Sequence, residues 1–233
     1  MVLEGGPKRV WEVGPGAGQL TSRLCAAGLG SITVFERDAG IVPVLTRVCA
    51  ACPELEVVPG DALRNVPAAL AEKPAPDVLA GNLPYGIAAT LIGRVLRGAV
   101  APKRMVVMVQ REVAERMIAL PGSATYSAFS VICAAVANTR IAFRVGPRHF
   151  HPSPRVDSAL VVLERIREMP GKLPDLVNRA FASRRKTLRN NLLRGPDREL
   201  LGVALQTAGV SPDLRAEALS ADDYLRILAA TPD

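Results

Sequence analysis

Four consecutive residues, Asn82-Leu83-Pro84-Tyr85, carry the most specific chemistry in this chain. An amide oxygen and the backbone carbonyl beside it can both accept hydrogen bonds from one exocyclic amine. The proline fixes the chain so that the carbonyl points into a pocket. The tyrosine offers a face on which a base pulled from its stack can lie. Such a set suits alkylation of the N6 amine of adenine, a poor nucleophile because its lone pair is delocalised into the ring. Two acceptors favour a pyramidal nitrogen whose lone pair faces an electrophilic methyl group. Transfer is then an in-line displacement, with proximity supplying most of the acceleration. No strong base is needed, because the methylated ammonium loses its proton readily. Read without function, the tetrapeptide is a strand-to-loop turn.

A pocket for the methyl donor is legible upstream. Glu12-Val13-Gly14-Pro15-Gly16-Ala17-Gly18 lies between an apolar run and a helical pattern, where glycines let a ligand approach the backbone closely. The dinucleotide fingerprint G-x-G-x-x-G fails, since Gln19 stands where its third glycine belongs. An acid ahead of the glycines, Glu12, suits a ligand with a cationic amino-acid end better than a pyrophosphate. Glu36, roughly 20 residues on, is placed to accept from ribose hydroxyls. Asp61, followed by Ala62 in "PGDAL", is placed to accept from an adenine amine. Each acid alone also suits a solvated loop. Together with Gly14, Gly16 and Asn82 they describe a site for S-adenosyl-L-methionine rather than for a nicotinamide dinucleotide.

The elements that must hold these residues follow from the hydrophobic pattern. Strands are expected at 9–14, 31–36, 55–61, 77–85 and 104–110, with helices at 19–27 and 39–51, after Gly86, and from 111. This alternation predicts an α/β, mostly parallel sheet covered by helices; with the S-adenosyl-L-methionine site read above, the expectation is a Rossmann-like class I methyltransferase sheet with a late antiparallel strand after a Pro-rich loop. The glycines, Glu36, Asp61 and the tetrapeptide then all fall at carboxyl ends of strands, where such sheets bind ligands. From 168 onward the chain reads as a small all-helical domain, divided by Gly195-Pro196 and Ser211-Pro212. The expected division is 1–167 and 168–233.

Charge sharpens the choice of substrate. The chain of 233 residues carries a net +7, and residues 140–194 hold 13 Lys/Arg against 4 Asp/Glu. The remainder holds 16 basic and 18 acidic residues, so the whole excess lies in one segment. Polyanion binding is the natural reading. Arg184, Arg185, Lys186, Arg189 and Arg194 in "RRKTLRNNLLR" are expected on one helix, with 185 and 189 sharing a face and meeting phosphates. His149 and His151 are read as loop or RNA contacts, and Cys49-x-x-Cys52 as reduced structural residues, so no metal is expected. No apolar run has the length of a membrane span and no targeting signal is evident, which gives a cytoplasmic expectation.

"EVGPGAGQLT", "NLPYGIAATLI", "VQREVAERM", "HFHPSPRVDSALVVL" and "AFASRRKTLRNNL" together resemble the KsgA family of ribosomal RNA adenine dimethyltransferases, over about 9–230. The first two patterns are shared with the related Erm resistance methyltransferases; "P-x-P-x-V-D-S-A" and "F-x-x-R-R-K-T-L" favour the KsgA branch. The resemblance implies dimethylation of two adjacent adenines in the 3′-terminal hairpin of small-subunit (16S) rRNA, during assembly of the pre-30S subunit; a monomer is expected, since nothing in the sequence suggests an obligate oligomer. It implies that Gly14, Glu36, Asp61 and Asn82 contact the cofactor. Asn82, Leu83 and Tyr85 would hold the adenine, and Phe150 would stack on its other face. Family members carry a "G-Q-x-F-L" segment ahead of the first strand, and here that segment is expected to be missing. Two alternatives remain: a catalytically impaired ribosome-assembly factor with the same fold, and an Erm-type large-subunit rRNA methyltransferase.

Overall fold

A computed structural model describes residues 1–150 and 153–231. They fall into two compact units, one of 1–114 with 138–165, the other of 115–137 with 166 onward.

The first unit contains, among the described residues, a seven-stranded sheet of order β3-β2-β1-β4-β5-β7-β6. β1 (Arg9–Val13) pairs in parallel with β2 (Ser31–Glu36) on one side and β4 (Val78–Asn82) on the other. β3 (Leu55–Pro59) lies beyond β2, and β5 (Arg104–Gln110) beyond β4, both parallel to their neighbours. β7 (Ser158–Arg165) is antiparallel to β5, with Ser158 opposite Gln110. β6 (Ala137–Val145) is the edge strand beyond β7. The α/β class, the parallel strands and the late antiparallel strand agree with the reading of the sequence.

Near-continuous apolar runs make the central strands: Val10, Trp11 and Val13 of β1, and Ile32, Val34 and Phe35 of β2, are buried, as sheets covered on both faces require. Trp11 and Phe35 meet edge to face at 5.3 Å between centroids. Helices α1 (Gln19–Cys25), α2 (Val42–Val48), α3 (Ala62–Glu72) and α4 (Ala88–Arg97) follow β1 to β4. α2 starts three residues later than expected because Pro43 is tolerated only in a first turn. α3 carries Pro67, which lacks the N–H that would bond the Leu63 carbonyl; Arg94 Nη1 of α4 donates to that oxygen at 2.8 Å instead.

The second unit is helical. It comprises α6 (Ala128–Val136), α7 (Leu173–Ala180), α8 (Leu188–Leu192), α9 (Arg198–Thr207) and α10 (Ala221–Ala229). α5 (Arg111–Met117) leads into it. Tyr126, Phe181 and Tyr224 form an aromatic cluster. The two buried hydroxyls donate to Leu219 O and Ala216 O at 2.8 and 2.9 Å, which satisfies them within the core.

Three expectations are corrected. The unit boundary is not a single cut at 167, because residues 115–137 join the helical unit before the chain returns to the sheet as β6. β6 itself was not anticipated. "RRKTLRNNLLR" is not one helix: residues 184–186 form a turn, Thr187 makes an antiparallel bridge with Arg215, and α8 begins only at Leu188. The amides of Leu188 and Arg189 donate to Leu214 O and Pro212 O, so this backbone is engaged by another segment. Arg185 and Arg189 therefore do not share a helix face.

Candidate active site

The order of the sheet reverses between β1 and β4, and the candidate residues sit at the carboxyl ends of the strands flanking that point. Glu12 is at the end of β1, Glu36 ends β2, Asp61 follows β3, and Asn82 ends β4.

The approach of β1 and β4 depends on glycine. A Cβ on Gly81 (φ +154°) would lie 2.2 Å from Val13 O, so no other residue fits there. One residue past β1, Gly14 adopts φ +70°, and a Cβ on it would lie 3.2 Å from Asn82 O and 3.7 Å from Pro84 Cδ. The glycine turn and the tetrapeptide are thus packed backbone to backbone. Gly16 (φ +54°) faces open space instead. A ligand laid over this turn meets main chain rather than side chains.

Two buried carboxylates stand beside the turn. Glu12 is only 2% exposed, and Thr21 Oγ1 of α1 donates to its Oε2 at 2.8 Å. Burial pushes its carboxyl up to about 7; the Thr21 bond opposes this and the nearby Glu36 charge adds to it. Glu36 is 8% exposed and its Oε1 accepts from the Asp38 amide at 2.8 Å. A buried carboxyl is neutralised by a proton, as the raised Glu12 value indicates, or held by a cation. Asp61 is exposed and caps α3, Oδ1 accepting from Leu63 N at 2.9 Å; Ala62 behind it is buried. One Asp61 oxygen thus has a structural duty that the sequence reading did not assign, and none of the described residues donates to the other.

In the tetrapeptide the side chain of Asn82 is exposed and that of Leu83 is buried at 1%. Leu83 therefore offers the site its carbonyl, not its side chain. Leu83 N donates to Met108 O at 3.0 Å, which ties the loop to β5. The Pro84 carbonyl is taken by Ile87 N and Ala88 N in the first turn of α4, while the Leu83 carbonyl accepts no hydrogen bond among the described residues. Among the described residues no side chain or loop amide donates to Asn82 Oδ1 either.

Tyr85 is half-buried, and its hydroxyl lies 2.8 Å from Ser158 Oγ. Ser158 is fully buried at the start of β7, and Asp157 beside it is held by Arg111, whose amide donates to Asp157 O at 2.9 Å. Ser158 was missed as a site residue; its signal was "V-D-S-A", quoted only as a family pattern. Phe150 follows a 3-10 turn, Pro147–His149, and is half-buried; among the described residues its ring makes no contact with Tyr85. His149 is exposed, and His151 lies outside the described residues.

In the helical unit, Arg184 donates to Ala124 O, Tyr126 O and Glu217, while Arg189 pairs with Asp213 at 3.0 Å. Arg185 and Lys186 are exposed and unpaired among the described residues. Cys25, Cys49 and Cys52 are free thiols packed in one apolar cluster, and burial pushes the Cys25 thiol upward. No helix among the described residues is long and apolar enough to cross a membrane.

Comparison with known proteins adds the following. The profile of the family "Ribosomal RNA adenine dimethylase" matches residues 7–231. A ribosomal RNA small subunit methyltransferase A from Rubrobacter xylanophilus is 44% identical over 94% of this chain and 83% of its own length. The protein of that name from Treponema pallidum is 38% identical over 94% and 80%. Among solved structures, a dimethyladenosine transferase from Plasmodium falciparum superposes with a TM-score of 0.80 at 25% identity, covering 94% of this chain and 88% of that one. The 23S rRNA methyltransferase ErmE gives 0.69 at 25% identity, over 95% and 90%.

Proposed function

The chain belongs to the ribosomal RNA adenine dimethylase family, and from this premise we propose that it transfers methyl groups from S-adenosylmethionine to the N6 amines of two adjacent adenines near the 3′ end of small-subunit rRNA. The observation that carries the reading is the packing of Gly14 against the Asn82 carbonyl, so close that a Cβ added to Gly14 would lie 3.2 Å from that oxygen. It sets the donor turn and the two acceptors side by side on one backbone junction.

The donor set suits the cofactor. Glu12 meets the ammonium, Glu36 the ribose hydroxyls, and Asp61 and Asn82 the adenosine end, with Gly14 and Gly16 giving close access to the backbone. When bound, S-adenosylmethionine supplies a methyl group already activated by its sulfonium. The protein's part is orientation. Asn82 Oδ1 and Leu83 O accept the two N6 hydrogens, turning the nitrogen lone pair toward the methyl. Pro84 keeps the Leu83 carbonyl clear of the helix that follows. Tyr85, pinned by Ser158, presents a fixed face for the extruded base, and Phe150 covers the other. The product ammonium is acidic enough to lose its proton to water.

Arg184, Arg185, Lys186 and Arg189 position the RNA through phosphates. The substrate is carried by the assembling small subunit and the enzyme works as a cytoplasmic monomer. Incubation of unmethylated small and large ribosomal subunits with labelled S-adenosylmethionine, followed by nucleoside mass spectrometry of each RNA, tests this. N6,N6-dimethyladenosine in the 3′-terminal hairpin is expected. Label confined to large-subunit RNA, or no label with intact cofactor binding, overturns it.

A further inference from the structure

We propose that the outer strand β6, the 3-10 turn Pro147–His149 after it and Arg155 form a phosphate-binding surface on the sheet unit, which grips the RNA backbone independently of the helical unit. The proposal rests on the reading that the substrate is RNA. No Asp or Glu occurs between Glu115 and Asp157, whereas Arg140, Arg144, Arg148 and Arg155 fall within the last part of that interval. All four are exposed, and none makes an ion pair among the described residues.

Four arginines of the helical unit offer a contrast, while its Arg185 and Lys186 are unpaired among the described residues. There, Arg179, Arg184, Arg189 and Arg226 are matched by Asp197, Glu217, Asp213 and Asp223. A phosphate arriving at such a pair competes with a carboxylate already in place, so the gain from counterion release shrinks. Arg140, Arg144, Arg148 and Arg155 hold no such carboxylate among the described residues. Arg140 and Arg144 share a face of the strand, roughly 13 Å apart from strand geometry. Arg148 lies in the 3-10 turn beyond the strand, and Arg155 just before β7. The turn is held by Ser153 Oγ, which donates to Pro147 O at 3.0 Å. Guanidinium forks on a strand and a braced turn suit a phosphodiester backbone, which they position without reading sequence.

The test uses the full chain and a transcript of the 3′-terminal small-subunit rRNA hairpin, with binding followed across a range of KCl concentrations. Arg140→Ala/Arg144→Ala is compared with Arg140→Lys/Arg144→Lys and with Arg185→Ala/Lys186→Ala. Loss of two phosphate contacts lowers the slope of log K against log salt by about 1.4 to 1.8. The alanine pair at β6 is expected to show that drop with S-adenosylmethionine affinity unchanged, and the lysine pair to keep the wild-type slope. A wild-type slope in the β6 alanine pair, with a lowered slope only in the 185/186 pair, overturns the proposal. So does a lysine pair that behaves like the alanine pair. Absence of salt-dependent RNA binding by the wild type removes the underlying RNA reading as well, which distinguishes the two failures.

Discussion

The hydroxyl of Tyr85 and the hydroxyl of Ser158 lie 2.8 Å apart, joining the loop after β4 to the first residue of β7. A side chain on the antiparallel strand thus fixes the ring on which the target base is proposed to stack. Tyr85→Phe and Ser158→Ala should each lower kcat/KM by about 3- to 10-fold, the range of one net hydrogen bond. The double variant should lose little more than either single, since both remove one interaction. Additive losses in steady-state methylation assays would show that the two hydroxyls act separately.

The buried Glu12 links cofactor binding to pH. Its folded-state value is raised from 4.5 to about 7, so the charged form is disfavoured in the free protein. A cationic ligand requires the carboxylate. Affinity for S-adenosylmethionine should therefore climb as pH rises toward 7 and level off above it, with proton release on binding below 7. Stability of the free protein runs the other way. The burial penalty is absent below 4.5, grows as pH rises, and is complete above about 7. Calorimetric titration between pH 5.5 and 8.5 checks the first trend, and Glu12→Gln should flatten it. A flat wild-type profile would take Glu12 out of the ammonium site.

Gly81 and Gly16 should separate packing from binding. Gly81→Ala places a methyl 2.2 Å from Val13 O, so the central pairing must open. Loss of several kcal/mol or failure to fold is expected. Gly16→Ala meets only the left-handed backbone, at about 1–2 kcal/mol, and should fold while binding S-adenosylmethionine more weakly. Thermal melts with and without cofactor read both. A Gly81→Ala protein with unchanged Tm would contradict the close approach of β1 and β4.

Arg94 stands in for the N–H that Pro67 lacks. Arg94→Met should destabilise the protein by about 1 kcal/mol, and by less in a Pro67→Ala background, where the new amide can bond Leu63 O. Urea denaturation of the four proteins measures the difference. Equal losses in both backgrounds would mean that the Arg94–Leu63 bond contributes nothing.

How much was legible in the sequence follows from the kind of signal each feature leaves. The central strands are apolar runs bounded by glycine and proline, so their places and the siting of Glu12, Glu36, Asp61 and Asn82 at their ends could be read directly. β6 could not, because Asn138, Arg140, Arg144 and a half-exposed Phe143 leave no clean alternation in an edge strand. The helix expected from Arg184 was over-extended: residue composition favoured it, but the amides at 188 and 189 are claimed by residues 214 and 212. That is a tertiary preference, invisible to local propensity. Ser158 and Thr21 act through partners 73 and 9 residues away, and hydrogen bonds between side chains leave no periodic trace. The Leu83 contribution through its carbonyl required knowing that its side chain faces the core.

The central claim is that Asn82 presents an acceptor to a base amine beside the donor turn. Methyl transfer from labelled S-adenosylmethionine to unmethylated small subunits, at saturating cofactor, should fall at least about 100-fold for Asn82→Ala, while circular dichroism and the melting profile stay those of the wild type. Transfer at the wild-type rate by that folded variant would contradict the account.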